Sequence, residues 1–335
     1  MHKVAIVGCG YWGMNYVRVL SELPETELAW ACDADPNRLA LVSRKYPDVK
    51  CTTQLRDVLS DPDVASVVIA TSSGTHFEVG SDVLRAGKNL LIEKPLALAV
   101  EDAETMIELA ERSRLVLMVG HTFLYNAGVR KLKALIDNEE FGEIYYMHST
   151  RTHLGLIRKD VNAIWDLAPH DVSIFNYIMN AEAQWVSAVG SRFLQNNRED
   201  VGFITLGYKR GILGNIHVSW IDSNKVRELV VVGSKKRVVF NDLDNLERIR
   251  IFDKGVSITG EVDSFGEFQL QLRDGDIHSP RVETNEPLKA QCQHFFECAE
   301  SGKKPLSDGR NGLSVVKTMV AIDKSLRLHG APVEL

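Results

Sequence analysis

The chain of 335 residues has no long apolar run, no basic stripe and no paired cysteines, and each absence removes a class of function. No apolar stretch approaches the roughly 18 residues that span a bilayer, so a membrane protein is not expected. A formal net charge of −6, with Lys and Arg scattered rather than clustered, argues against nucleic acid as the main partner. The five cysteines (Cys9, Cys32, Cys51, Cys292 and Cys298) form no CxxC pair and are odd in number. They read as free thiols in a reducing compartment. His121, His148, His153, His170 and His217 build neither an HExxH nor a Cys/His cluster, so no metal is expected. The GxSxG elbow of a serine hydrolase is missing. So are internal repeats, low-complexity stretches and flexible linkers. The first strand begins within four residues of the N-terminus, which leaves no room for a signal peptide. A cytoplasmic protein is the expectation.

What remains is ordinary in bulk: 44% hydrophobic and 25% charged residues, in a length long for one domain and comfortable for two. The first 120 residues alternate strand and helix. Apolar runs at Val4–Val7, Leu28–Cys32, Ser66–Ala70, Lys88–Ile92 and Leu115–Val119 read as buried strands. Helical spacing falls between them at Met14–Ser21, from Pro36, at Thr75–Ala86 and at Val100–Arg112. This pattern predicts a doubly wound parallel sheet over 1–120. After a helix at Gly128–Asn138 the pattern changes to strands without intervening helices: Glu143–Arg151, Trp185–Phe193, Gly202–Tyr208, Ile212–Trp220, Arg227–Val232, Arg237–Phe240 and Glu247–Phe252. A second α/β domain over 121–335, with a large, mostly antiparallel sheet, is expected. Helices at Pro287–Ser301 and Gly312–Leu328 close the chain, with Gly302 and Gly330 as their C-caps. These helices are expected to pack back on one of the domains.

Two motifs carry the chemistry. Gly8-Cys9-Gly10-Tyr11-Trp12-Gly13 follows the first strand and opens the first helix, the context a dinucleotide fingerprint requires. Gly8 permits the tight turn, Gly10 lets a pyrophosphate approach the backbone, and Gly13 lets helix and strand pack closely. The helix N-terminus then offers its N–H groups and its dipole to the phosphates. Asp33, twenty residues beyond Gly13 at the end of the second strand, is placed to accept from the adenosine ribose hydroxyls. Its charge would repel a 2′-phosphate, which favours NAD over NADP. Arg38 complicates that choice: it could accommodate such a phosphate, stack on adenine or simply be exposed. Thr71, Ser72 and His76 follow the fourth strand and can line the path of the cofactor.

The second motif, Glu93-Lys94-Pro95, ends the strand Lys88–Ile92 at the sheet edge where ligands of such folds bind. The Lys94 ammonium can hydrogen-bond a reacting oxygen and stabilise the charge that develops as hydride departs. Glu93 is placed to contact the nicotinamide ribose or to orient Lys94. Pro95 fixes the turn and is compatible with a cis bond. Further on, Trp165-Asp166-Leu167-Ala168-Pro169-His170-Asp171 precedes apolar spacing that places a helix start near His170. Asp166 and His170 would share a face if the helix began at Asp166; Pro169 leaves that open. A histidine suits removal of a hydroxyl proton, and Asp171 could cap the helix.

Together with Gly120-His121-Thr122-Phe123-Leu124-Tyr125-Asn126, these motifs in this order resemble the glucose–fructose oxidoreductase/inositol dehydrogenase (Gfo/Idh/MocA) family over essentially the whole chain. The resemblance implies a Rossmann domain and a second domain whose open sheet often forms a homodimer or homotetramer. It implies a sugar, sugar acid, cyclitol or nucleotide-sugar substrate. Lys94 would be the catalytic lysine, Asp166 and His170 the substrate-side pair with His170 as acid/base, and Tyr125, Asn126 and Trp165 substrate-side neighbours. Trp220-Ile221-Asp222-Ser223-Asn224-Lys225-Val226-Arg227 is similar to a stretch of members that handle nucleotide-linked sugars. Lys225 and Arg227 could bind a carboxylate or pyrophosphate there, or form a basic loop at a strand edge. A free-cyclitol dehydrogenase is the competing enzyme. A sensor of nicotinamide or sugar on the same fold is the competing class, although such relatives typically lose the lysine or the histidine and this chain keeps both.

Overall fold

In a computed structural model the chain divides into two compact units, residues 1–125 with 286–320 and residues 126–285 with 321–335. The described residues are 1–155, 157–158, 160–194, 197–258 and 270–335. The first unit opens with β1 (His2–Val7), α1 (Tyr11–Glu22), β2 (Thr26–Cys32), α2 (Pro36–Lys45), β3 (Lys50–Thr52) and α3 (Leu55–Ser60). It continues with β4 (Ser66–Ile69), α4 (His76–Arg85), β5 (Asn89–Glu93), α5 (Val100–Ser113) and β6 (Leu117–Gly120). All six strands are parallel, in the order β3-β2-β1-β4-β5-β6. The order reverses between β1 and β4, and a crevice for ligands opens at the carboxyl ends of strands at such a switch point. Val67, Ile69, Leu90, Ile92 and Val119 are fully buried, as the apolar runs predict. β3 and α3 were not expected: three and six residues are too short to show a period.

The second unit is built on α6 (Ala127–Asp137), β7 (Ile144–Leu154), α7 (Ala163–Met179), β8 (Trp185–Ser191), β9 (Val201–Gly207) and β10 (Leu213–Ser219). Then come β11 (Ile221–Gly233), β12 (Arg237–Asn241), β13 (Ile249–Ile258) and β14 (Leu270–His278). The chain ends with α8 (Pro287–Ser301), α9 (Gly309–Arg327) and β15 (Val333–Glu334), of which β15 pairs with β8. The nine-stranded sheet runs β14-β13-β12-β11-β7-β10-β9-β8-β15, antiparallel except where β10 lies parallel to β7. α7 packs on β7, β9 and β10. Met147, Ser149 and Arg151 point to the buried face of β7, while Tyr146 is on the open face.

Three expectations change here. α7 begins at Ala163, seven residues before His170, with Asn162 as its cap: the Asn162 side chain accepts from the Trp165 N–H at 2.8 Å. Asp171 therefore lies inside the helix and caps nothing. β11 starts six residues earlier than expected and carries the Lys225 segment as a bulge, where the register on β7 jumps between Ile221 and Val226. Gly302 does close α8 in the left-handed region (φ +69), but α9 ends at Arg327, and His329 (φ +54) and Gly330 (φ +90) both follow with positive φ. Among the described residues no helix is long and apolar enough to cross a membrane.

Candidate active site

The dinucleotide loop is shaped by backbone contact. Gly8 has φ +93, and an added Cβ there would lie 2.7 Å from the carbonyl carbon of Ala70. At Gly13 a Cβ would fall 1.9 Å from the Gly8 carbonyl oxygen. Gly10 caps α1 with no side chain over its N–H groups, which leaves the helix terminus fitted to an anion. Asp33 is nearly buried; its Oδ2 accepts from the Cys9 N–H at 2.7 Å and its Oδ1 from the Asp35 N–H at 2.8 Å. One carboxylate thus stitches the glycine loop to the end of β2. Arg38 Nη1 stands 3.4 Å from Asp33 Oδ2 and its Nε 3.7 Å from Asp35. Tyr11 and Trp12 are exposed on the first turn of α1. These residues could hold an adenine dinucleotide, whose phosphates would meet the loop and whose ribose would meet Asp33.

Thr71 follows β4 next to the loop, its main-chain N 2.8 Å from where a Cβ of Gly8 would lie. Thr75 donates to the Thr71 hydroxyl at 2.8 Å and, through its N–H, to the Ser72 carbonyl at 3.0 Å. His76 is buried, and its Nδ1 donates to the Pro95 carbonyl at 2.7 Å. It therefore braces the Lys94–Pro95 turn, where the peptide bond is cis. Glu93 and Gly120 are register partners on β5 and β6, which sets Lys94 and His121 side by side at the sheet edge. Burial pushes the Glu93 carboxyl up. His121 is 1% exposed, neither ring nitrogen has a hydrogen-bond partner, and burial with the Lys94 charge pulls it down to about 3. It stays neutral at working pH.

In the second unit Asp166 lies on α7 one turn before His170. Its Oδ1 accepts from Arg158 Nη1 at 3.3 Å and its Oδ2 from the Trp220 indole N–H at 3.1 Å. His170 is half-buried. One residue on, Asp171 takes a bidentate bond from Arg151 of β7, at 2.8 and 3.0 Å, with both side chains buried. Arg227 of β11 sits directly opposite Arg151 in the register, and its Nη1 is 3.6 Å from Asp242. Burial, and then Arg151, pull the Arg227 guanidinium below its usual range. His153 lies close to Asp166, Arg227, Lys225 and Arg151, and burial lowers it too. Lys225 is exposed in its bulge.

Three expected substrate neighbours, Tyr125, Asn126 and Trp165, make hydrogen bonds inside the protein. Tyr125 is 1% exposed, with its hydroxyl 3.3 Å from Ser307 Oγ and 3.8 Å from Met118 Sδ, so it packs the core of the first unit. Asn126 caps α6: its Oδ1 accepts from the Gly128 N–H and its Nδ2 donates to Asp242, both at 2.8 Å. Trp165 is buried and donates to Asp323 at 2.9 Å. Arg151 and Tyr16 carried no signal in the sequence reading, because their partners Asp171 and Glu93 lie far along the chain. Arg158 stood outside any motif although its partners Asp160 and Asp166 are near, and His121 stood in a motif with no role of its own.

Residues 2–121 match the model of an oxidoreductase family with an NAD-binding Rossmann fold, and residues 129–239 match a GFO/IDH/MocA C-terminal domain. The chain is 25% identical to a myo-inositol 2-dehydrogenase of Thermotoga maritima, covering 97% of this chain and 96% of that one. It is 24% identical to a UDP-N-acetylglucosamine 3-dehydrogenase of Acidithiobacillus ferrooxidans, with 96% of each covered. The fold matches the WlbA dehydrogenase of Bordetella pertussis, solved with NADH and UDP-GlcNAcA, at a TM-score of 0.82 and 21% identity over 100% and 97% of the two chains. Both domain models name one family, and the chain belongs to it: this is an oxidoreductase of the Gfo/Idh/MocA family with an NAD-binding Rossmann domain.

Proposed function

We propose that the protein is an NAD-dependent dehydrogenase of a secondary alcohol or ketone on a sugar that carries an anionic group, as a nucleotide-linked sugar or sugar acid does. The observation that carries the anionic part is the opposed pair Arg151 and Arg227, with Lys225 and His153 beside them, on the strands next to Asp166 and His170. Two guanidiniums set opposite each other on adjacent strands repel. Asp171 offsets Arg151 with a bidentate bond, whereas Asp242 meets Arg227 only at 3.6 Å. A carboxylate or phosphate oxygen arriving at Arg227 gains a charge-assisted hydrogen bond and relieves that repulsion.

In the oxidative direction His170 takes the hydroxyl proton, and Asp166, held by Arg158 and Trp220, fixes the substrate side of the helix. Lys94 donates to the reacting oxygen and stabilises its developing charge. Bound nicotinamide supplies the hydride acceptor. The Asp33 carboxylate at the ribose position supports NAD over NADP. The names of relatives divide between cyclitols and UDP-linked sugars, so the test is direct. NADH formation is followed with saturating NAD and UDP-linked sugars, UDP-linked sugar acids, myo-inositol or free hexoses. Turnover confined to the anionic sugars, with Arg227→Ala raising KM and leaving kcat near wild type, is the expected result. Turnover of myo-inositol with KM indifferent to Arg227 overturns the anionic substrate and favours the cyclitol reading.

We also infer that the open face of the nine-stranded sheet joins copies of this chain. Tyr146 lies beside Leu213, and Phe203 beside Val189 and His217, all on the face that α7 does not cover.

A further inference from the structure

Glu93 is held by one helix of its own unit, which a second helix backs. Its Oε1 accepts the Tyr16 hydroxyl and the Trp12 indole N–H, each at 2.6 Å, both from α1. Its Oε2 accepts the main-chain N–H of Lys94 at 3.2 Å. The Tyr16 oxygen in turn accepts from Gln291 Nε2 of α8 at 2.8 Å. Gly120 closes the last side: an added Cβ there would lie 2.9 Å from Glu93 Oε1. Tyr16 and Gln291 are both fully buried. A phenylalanine and a leucine would fill the same volume without a polar group to satisfy, so packing alone does not call for a hydroxyl and an amide here.

We propose that Tyr16 and Gln291 are positioning residues for hydride exchange, a relay from α8 through α1 that fixes the Glu93 carboxylate and, through it, the main chain of Lys94. The proposal rests on the reading of Lys94 as the residue that meets the reacting oxygen. It joins the helix that begins at the dinucleotide loop to the strand that ends at the lysine, so both ends of the cofactor site share one carboxylate.

The signature is a change in when Glu93 takes a proton. Burial raises its pKa, while the bonds from Tyr16 and Trp12 and the charge of Lys94 hold it down. Without the Tyr16 hydroxyl one of the lowering influences is gone, so Glu93 protonates at a higher pH. The groups facing it from the packed elements are Tyr16 on α1, Cys292 on α8, Lys94 on its own strand end and His121 beyond β6. Burial keeps the Tyr16 phenol and the Cys292 thiol protonated through working pH, and His121 neutral. An acid-side ionisation that a Tyr16 variant shows in kcat and in NADH affinity together therefore belongs to Glu93.

The experiment compares wild type, Tyr16→Phe and Gln291→Leu in the full chain. It records pH profiles of kcat, NADH affinity by fluorescence titration across the same pH range, and thermal midpoints. In Tyr16→Phe the acid limb of kcat moves to higher pH by about one unit, with a loss of about tenfold at the acid end and KM for the sugar within about twofold. NADH affinity gains a break at the same pH. Gln291→Leu shifts the limb less and in the same direction, because it touches the carboxylate only through Tyr16. Profiles that superimpose on wild type, or a uniform loss at every pH with a lowered melting point, mean a merely structural role and overturn the relay. A wild type that binds NADH and turns over no sugar defeats the enzymatic reading instead, and the NADH profiles then still decide the relay.

Discussion

Lys94 and His121 show how one sheet edge imposes opposite charge states on neighbouring side chains. Lys94 leaves β5 into a turn braced by His76, and its ammonium is the group proposed above to meet a developing alkoxide. Lys94→Ala is therefore expected to lower kcat by about 10²–10³-fold while NADH affinity changes by less than about threefold, measured by single-turnover rates and fluorescence titration. An equal loss in both would place the lysine in cofactor binding alone. His121 is the counterpart, a buried imidazole that does not charge. Its folded pKa of about 3 lies below the ordinary 6.5, so the unfolded chain binds the proton that the folded chain refuses. Stability from this group is complete above pH 6.5 and is lost as pH falls below it, by about 1.4 kcal/mol per pH unit. In His121→Gln the decline in urea midpoint between about pH 6.5 and about pH 4.5 is expected to be shallower by that slope. Identical slopes in the two proteins would mean that His121 is protonated in the native state.

At the level of elements, helix α7 ties the candidate acid/base to the sheet. Its Asp171 and the Arg151 of β7 form a buried bidentate pair, and removing one partner strands a charge. Asp171→Ala is expected to cost about 3–5 kcal/mol by denaturant unfolding; a loss under about 1 kcal/mol would mean that Arg151 finds another partner or water. Helix α1 depends on closeness instead of charge. In Gly13→Ala the new methyl would meet the Gly8 carbonyl oxygen at 1.9 Å, so the loop must open, with a fall in thermal midpoint and in NADH affinity together. These two helices also mark what a sequence discloses. The α1 loop was legible because glycine is demanded locally, within six residues of a strand end. The start of α7 was not: Pro169 sits inside the helix, its missing N–H and ring normally signal a boundary, and the true cap is Asn162. Central strands of the parallel sheet were legible because burial on both faces makes them apolar throughout. β14, where Arg273, Asp274 and Asp276 interrupt the apolar pattern, and the two-residue β15 were not. Lys94, His121, Asp166 and His170 stand in motifs, whereas Arg151 and Tyr16 acquire their surroundings only from partners brought together by folding.

For the whole molecule the open face of the nine-stranded sheet is the feature that remains to be covered. α7 packs against one face only. On the other, Tyr146 is 46% exposed, Phe203 48% and Val189 50%, and the register places Phe203 between Val189 of β8 and His217 of β10, whose ring it stacks at 4.4 Å. Leu213 and Tyr146 are paired on β10 and β7 in the same face. Apolar side chains spread singly over a surface need no explanation, but contiguous ones on neighbouring strands of one sheet are what a self-complementary interface requires. A second copy meeting this face buries both patches at once and leaves the helix-covered face, with Arg151 and Arg227, untouched. The mass by light scattering is therefore expected to be a multiple of 37.4 kDa. Tyr146→Glu with Phe203→Glu sets like charges against each other across the contact, and should reduce the mass to a single chain without altering the far-ultraviolet circular dichroism. A wild type that elutes at 37.4 kDa at all concentrations sinks the interface. A double variant that stays assembled moves the contact to another surface.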